Sequence, residues 1–287
     1  MSLPILRNAE ALRTQLQSWK QAGLRVALVP TMGCLHAGHL RLVEEAALHA
    51  DRVLVSIFVN PLQFSAGEDL DRYPRTLEAD CLALQSTPAA AVFAPADADL
   101  YPHGREGLTE VRVPDVSGRH CGQFRPGHFE GVTTVVNILF NLTQPDVAVF
   151  GEKDCQQLFV IRRMVRDLHM PVEIVGVPTV REDDGLAMSS RNRYLSTSQR
   201  QQAARFPAVL DALSQSLQNQ PDAVDALCAK AWKELESAGL RPQYLDLVDA
   251  DFMPAQSLAA GEFTLLAAVQ VGEARLIDNR ILRIAAS

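Results

Sequence analysis

Five short apolar runs, at residues 25–29, 52–59, 89–94, 146–150 and 172–177, alternate with segments whose apolar residues recur at helical spacing. The helical faces are marked by Leu77, Cys81 and Leu84, by Val135, Leu139 and Leu142, and by Leu158, Ile161 and Val165. Runs this short and this apolar suit strands buried on both faces, and the helical stripes between them supply the cover. Strand and helix in repetition require right-handed crossovers and a parallel sheet. The expectation is an α/β fold, a doubly wound parallel sheet whose ligands meet the carboxyl ends of its strands.

The pattern changes after Pro178, which predicts a boundary near residues 176–180 and two domains, 1–177 and 178–287. Ser196 and Gln199 have capping-box spacing and open a Gln-rich helix running towards Gln220. Pro221 suits the start of another helix, ending near Gly239. Runs 263–271 and 274–284 read as an antiparallel pair turning at Gly272, so the second domain is a smaller α+β unit. At the other end, Ile5, Ala9, Leu12, Leu16 and Trp19 predict an amphipathic helix interrupted by charges, rather than a signal peptide.

The first strand runs into Pro30-Thr31-Met32-Gly33-Cys34-Leu35-His36-Ala37-Gly38-His39, after which Leu40, Val43 and Ala47 recur at helical spacing. His36 and His39 therefore lie at a helix start, where first-turn amides and the positive dipole end stabilise a phosphate. Gly33 and Gly38 let a ligand approach the backbone, and two imidazoles three residues apart can address one anion.

Four more segments carry polar groups at element ends. Residues 55–64 end a strand with Asn60 and Gln63 on either side of Pro61, aimed at the sheet's carboxyl edge or simply closing a turn. Residues 125–136 enter a helix through Gly127 and Gly131, with small β-branched residues that suit either an apolar ligand wall or a core. Residues 151–158 repeat the logic of the histidine segment: Gly151 for close approach, Lys153 for charge, Asp154 for ribose hydroxyls and Gln157 for a polar substrate group. In 181–192, Ser189, Ser190 and Arg191 have the donors and fork geometry of a polyphosphate clamp.

Composition removes several classes of partner. With 27 Lys and Arg against 34 Asp and Glu the net charge is −7, which opposes nucleic acid and anionic membrane. No apolar run spans a bilayer, so a cytoplasmic protein is expected. Five scattered cysteines, Cys34, Cys81, Cys121, Cys155 and Cys228, form no Cys-x-x-Cys pair and argue against disulfides and structural zinc. Cys121 with His120 and His128 lacks a complementary ligand pair.

Taken together, segments 30–39, 60–64, 125–136, 151–158 and 180–195 resemble the pantothenate synthetase family in order and spacing, over nearly the whole chain. The tail Ala274-Arg275-Leu276-Ile277-Asp278-Asn279 is similar to that family's C-terminal strand. The resemblance implies a Rossmann-like domain for ATP and pantoate with a smaller C-terminal lid, within the nucleotidyltransferase superfamily that carries the His-x-Gly-His motif. It also implies a cytosolic homodimer that joins pantoate to β-alanine, using ATP and magnesium and releasing AMP and pyrophosphate through a pantoyl adenylate.

By the same resemblance, Met32, Gly33, Cys34, Leu35, His36, Ala37, Gly38 and His39 contact the ATP phosphates, with His39 as proton donor and His36 as its companion. Gly151, Glu152, Lys153, Asp154 and Val180 match adenosine contacts. Met188, Ser189, Ser190 and Arg191 match a second ATP loop, and Gln63 and Gln157 occupy the pantoate positions. Cys34 and Cys155 fill variable slots and receive no chemistry. Asp80 is a magnesium neighbour in a context too ordinary to assign, and no metal ligand is named.

Adenylation makes charge grow on phosphoryl oxygens and pyrophosphate, which His36, His39, Lys153, Ser189, Arg191 and magnesium are available to offset. No covalent nucleophile is required, and no Ser-His-Asp or Cys-His constellation is present. Three rivals remain. A cytidylyltransferase would select CTP and ignore pantoate; a class I aminoacyl-tRNA synthetase would need an anticodon-binding region and a basic surface; a silent nucleotide-binding module would bind without turnover.

Overall fold

The computed structural model describes residues 3–65 and 67–284. These form two compact units: one runs to Glu152 and resumes over Gln156–Pro178, and the other holds Lys153–Cys155 and the residues from Thr179 onward.

The first unit is built on six parallel strands, β1 (Ile5–Leu6), β2 (Val26–Thr31), β3 (Arg52–Ile57), β4 (Ala89–Phe93), β5 (Val147–Gly151) and β6 (Glu173–Val177), in the order β1-β4-β3-β2-β5-β6. All five strands expected from the apolar runs are present. Their centres are buried on both faces: Ala27, Leu28 and Val29, Val53, Leu54 and Val55, and Val147, Ala148 and Val149 are each at most 1% exposed. Each of these valine and leucine side chains contributes about 1.5–3 kcal/mol of transfer free energy, which outweighs any weak local preference. The chain builds outward from β2 through β3 to β4, then returns to place β5 on the opposite side of β2. The β2/β5 junction is therefore the topological switch point, where doubly wound sheets open a ligand crevice at the strands' carboxyl ends.

The N-terminal expectation is corrected in part. The helix spans Ala9–Gln21 and buries Leu12, Leu16 and Trp19, but Ile5 and Leu6 pair with Val92 and Phe93 as an edge strand. Asn8 separates the two elements, its side chain accepting from the Ala11 N–H at 2.8 Å as a helix N-cap.

The second unit packs helices Thr197–Ala203, Arg205–Asn219 and Val224–Ser237 with an antiparallel sheet of β7 (Arg241–Val248), β8 (Gly261–Val271) and β9 (Ala274–Ile284), ordered β7-β8-β9. Phe206, Leu210, Leu217, Leu235, Leu265, Val269 and Leu282 lie in its core. Gly272 makes the β8–β9 turn at φ +55°, a left-handed conformation that favours glycine. The Ser196–Gln199 capping box forms as expected.

The single Gln-rich helix is two, broken around Ala204 because Pro207 has no N–H to continue the ladder and is tolerated only in a helix's first turn. Pro221 does not open the next helix, which starts at Val224; its carbonyl accepts from the Leu258 N–H at 3.1 Å. Strand β7 was not expected from the sequence, since Pro242 and Asp246 interrupt its apolar character and a bulge lies between Pro242 and Tyr244.

Candidate active site

Strand β2 hands over to helix Ala37–His49 through a turn held from beneath. Gly33 and Cys34 both take positive φ, +79° and +53°. Asp80, 3% exposed on helix Leu77–Leu84, fixes this geometry: Oδ2 accepts from the Cys34 N–H at 2.9 Å and Oδ1 from the Leu35 N–H at 2.8 Å. The Thr76 hydroxyl donates to the same Oδ2 at 3.2 Å. A Cβ on Gly33 would come within 3.0 Å of that oxygen, so glycine is required for closeness as well as for φ. Asp80 thus serves as the buried acceptor that shapes the turn.

His36 is the N-cap of helix Ala37–His49, and His39 is its third residue. The His36 N–H donates to His39 Nδ1 at 3.3 Å, and the two rings lie 4.1 Å apart between centroids. Ala37 and Gly38 occupy the first turn, whose amides point out of the helix end. The arrangement offers imidazole and amide donors to one anion at the end of β2.

Beyond β3, a second constellation is locked around Gln63. Asn60, 1% exposed, donates from Nδ2 to the Gly131 carbonyl at 3.0 Å and to Gln63 Oε1 at 3.2 Å. Its Oδ1 accepts from the Tyr101 hydroxyl at 2.7 Å. Burial pushes the Tyr101 phenol well above its ordinary value, with Asp97 adding to the effect, so the hydroxyl remains a donor at neutral pH. Gln63 Nε2 lies 2.8 Å from Met32 Sδ, which brings the strand-end amide and the histidine segment together.

The Gln63 carbonyl accepts from His128 Nδ1 at 2.8 Å and from the Arg125 guanidinium at 3.2 Å. Arg125 also contacts His128 Nε2 at 3.0 Å. Arginine only donates and a carbonyl only accepts, so these contacts assign His128 the neutral Nδ1–H tautomer. Arg125 is anchored by a two-pronged pair with Glu68, at 2.6 and 2.8 Å. Burial raises the Glu68 carboxyl, but hydrogen bonding and charge from Arg125 prevail and hold it below the ordinary glutamate value. Burial also opposes the Arg125 charge, and Glu68 outweighs it.

Gly131 completes the packing. A Cβ there would lie 2.3 Å from the Leu62 carbonyl oxygen, so helix His128–Thr143 can reach the Pro61–Gln63 turn only with glycine at this position. A cavity of about 640 Å³ lies beside the turn that follows β2, with Met32, Gly33, Ile57, Phe58, Pro61 and Asp80 among its walls.

Gly151 ends β5, and Glu152 follows it in the same unit. Gln157 is half-buried on helix Cys155–Asp167, whereas the adjacent Gln156 is buried and structural. Gln156 donates to the carbonyls of Val116 and Arg119 and accepts from the Cys121 N–H, while Gln157, the next residue on the helix, leaves it about 100° further round.

In the second unit, Lys153 has its ammonium 3.8 Å from Asp154 Oδ2, and its side chain is 20% exposed. Residues 180–188 fold back on themselves: Arg181 bridges Ala187, and the Met188 N–H donates to the Val180 carbonyl at 3.0 Å. Ser189 then caps the short helix Ser190–Tyr194 by accepting from the Arg191 N–H at 3.3 Å. Asn192 ties this loop back to the Ala187 carbonyl and to Glu182, and Arg200 braces Glu182 and Asp184. The Arg200 hydrogen bond holds the Asp184 carboxyl below its usual range.

The first unit therefore brings Met32–His39 together with Gln63, and it also carries Gly151, Glu152 and Gln157. The second carries Lys153, Asp154, Val180 and Met188–Arg191. Sequence reading missed Asn60 as an anchor, and it missed Tyr101, Glu68, Arg125, His128, Asn192 and Glu182. A polar residue next to a glycine-hinged helix entry was the one available signal, at Arg125 and His128. Among the described residues, no cluster of three or more His, Cys, Asp or Glu could hold a metal ion, and no helix is long and apolar enough to cross a membrane.

The family model for pantoate-beta-alanine ligase matches residues 4–281. A pantothenate synthetase from Aeromonas hydrophila is 49% identical over 283 residues, covering 99% of each chain. A crystal structure of the pantothenate synthetase from Thermus thermophilus superposes with a TM-score of 0.87 at 45% identity, covering 97% of this chain and 99% of that one. The Francisella tularensis pantoate-beta-alanine ligase, solved in complex with a beta-gamma ATP compound and beta-alanine, gives a TM-score of 0.78 at 32% identity, covering 97% of each. The chain belongs to the pantoate-beta-alanine ligase family.

Proposed function

We propose that this chain condenses pantoate with β-alanine at the expense of ATP, giving pantothenate, AMP and pyrophosphate through a pantoyl adenylate. The observation that carries the reading is the two-histidine helix start, at the switch-point end of β2, beside a Gln63 locked against Met32. The Francisella ligase complexed with an ATP compound and beta-alanine supports it.

A carboxylate has no good leaving group, so the acid is first activated. A pantoate oxygen attacks the α-phosphorus, the bond to the β-phosphate oxygen breaks, and pyrophosphate leaves. The neutral β-alanine amine then attacks the anhydride carbonyl, the acyl carbon's bond to the AMP oxygen breaks with AMP taking the bonding pair, and the nitrogen releases its extra proton to solvent. His39, with His36 beside it, meets the phosphoryl oxygens and donates a proton. Met32, Gly33, Cys34, Leu35, Ala37 and Gly38 line the triphosphate, while Lys153, Ser189 and Arg191 neutralise developing charge. Gly151, Glu152, Asp154 and Val180 face the nucleoside, Met188 and Ser190 extend the second ATP loop, and Gln63 and Gln157 hold pantoate.

Magnesium enters as MgATP. The oxygens of Asp80 are engaged by the turn, and the described residues build no protein cage for the ion, as is usual when phosphates supply the ligands. Residues 1–177 form the ATP and pantoate domain and 178–287 the lid, in a cytoplasmic homodimer; family resemblance supports these points.

The test is AMP and pyrophosphate release from MgATP with pantoate alone, β-alanine alone, and both. Multiple turnovers that require both acids, with matching pantothenate, are expected. Absence of turnover while ATP still binds would reject the reading in favour of another acid substrate or a silent nucleotide-binding module.

A further inference from the structure

The tail segment Asp278-Asn279 has no place in the chemistry above, yet both residues are polar and buried, at 2% and 6% exposure. The Asp278 carboxylate, its side chain fully enclosed, receives both terminal nitrogens of Arg181, at 2.8 and 2.9 Å, and Arg280 at 3.0 Å. Arg181 also donates to the Gly185 carbonyl at 3.0 Å, so Asp278 anchors the foldback that leads into Met188–Arg191. The next side chain on the strand does something different. Asn279 donates from Nδ2 to the main-chain carbonyl of Lys153 at 3.0 Å.

Successive side chains of a strand leave opposite faces, so one dipeptide reaches two segments that are far apart in sequence. Asp278 also fixes its neighbour directly, accepting from the Asn279 N–H at 2.8 Å. A buried bidentate arginine pair is geometrically demanding, and a buried amide donor left unpaired is costly. Both therefore define position rather than merely add adhesion.

We propose that Asn279 is a positioning residue for Lys153, holding its backbone so that the ammonium meets the polyphosphate, with Asp278 setting Asn279 and the Arg181 foldback in register. This deepens the proposed function and rests on Lys153 acting in adenylation. The loop that carries Arg191 and the segment that carries Lys153 are in this way referenced to one point on β9.

Single-turnover pyrophosphate release from MgATP and pantoate tests it. Asn279→Asp keeps the shape and removes the donor. It is expected to slow adenylation about tenfold, the rate equivalent of one lost buried hydrogen bond, with KM for pantoate unchanged within about twofold. In a Lys153→Ala background the same substitution is expected to add less than about twofold, because coupled residues are non-additive. A residue that only stabilised the fold would instead add its full loss. A native rate in Asn279→Asp, or a further tenfold loss on top of Lys153→Ala, overturns the proposal. A native rate in Lys153→Ala alone removes Lys153 from adenylation and overturns the proposal with it, and the single variant identifies that cause. Should Asn279→Asp fail to fold, Asn279→Ala carries the same comparison.

Discussion

Replacing Asp80 with asparagine preserves the shape of the buried side chain but converts one acceptor into a donor. In the native turn the two carboxylate oxygens each accept a main-chain N–H, from Leu35 and Cys34. Asparagine can accept one of these and must point its NH2 at the other. The loss is one charge-assisted hydrogen bond, about 1.5–3 kcal/mol, and a buried N–H left facing a donor, about 1–3 kcal/mol. A total of roughly 3–5 kcal/mol is expected, concentrated on a turn already at positive φ at Gly33 and Cys34. Trp19 and Trp232 are the two tryptophans, so urea unfolding followed by fluorescence in a Trp232→Phe background reports the first unit. Asp80→Asn should lower that unit's midpoint and raise KM for ATP. An unchanged midpoint would refute the assignment of Asp80 as the turn's holder. A lowered midpoint with native KM for ATP would refute the link between this turn and the nucleotide.

Three further outcomes are expected. His39→Ala should abolish adenylation while the circular dichroism and thermal transition stay native; undiminished turnover would remove His39 from the mechanism. Gly131→Ala should drive a methyl into the Leu62 carbonyl, destabilise by about 1–3 kcal/mol and raise KM for pantoate, with KM for ATP moving less; equal shifts in both would contradict a local effect on Gln63. Glu68→Gln should cost about 1–2 kcal/mol at neutral pH. Because the folded Glu68 carboxyl lies below its ordinary 4.5, its contribution is present above about pH 4.5 and fades as pH falls through the folded value. The stability difference between native and Glu68→Gln protein should therefore shrink on acidification, and a difference that grew would reverse the sign of the argument.

The central strands were legible because burial on both faces leaves no room for polar residues, so Val53-Leu54-Val55 and Val147-Ala148-Val149 stand out without any partner being known. Strand β7 was not, because Pro242 and Asp246 are tolerated at its bulge and partly covered positions and blur the signal. The same division holds in the site. His36, His39 and Gln63 sit at element ends and are readable locally. Asp80 and Arg125 acquire their meaning only from Cys34, Leu35 and Glu68, which lie some 45 to 57 residues away in the chain. Nothing near Asp80 distinguishes it from any acidic residue in the first turn of a helix, and nothing near Tyr101 announces that its hydroxyl will hold Asn60.

The assignment of Lys153–Cys155 to the second unit, while residues on both sides belong to the first, also has a bearing on how the molecule is made. Synthesis delivers Lys153 long before β9, and domains generally form as units as the chain emerges. The strands that flank this segment can assemble early, but the carbonyl of Lys153 has no Asn279 amide to accept from until β9 has been made. A fragment cut after Pro178 would carry the lysine without its partner, and the remainder would carry the partner without the lysine. The two pieces are thus expected to regain adenylation only when combined, although each contains most of one compact unit.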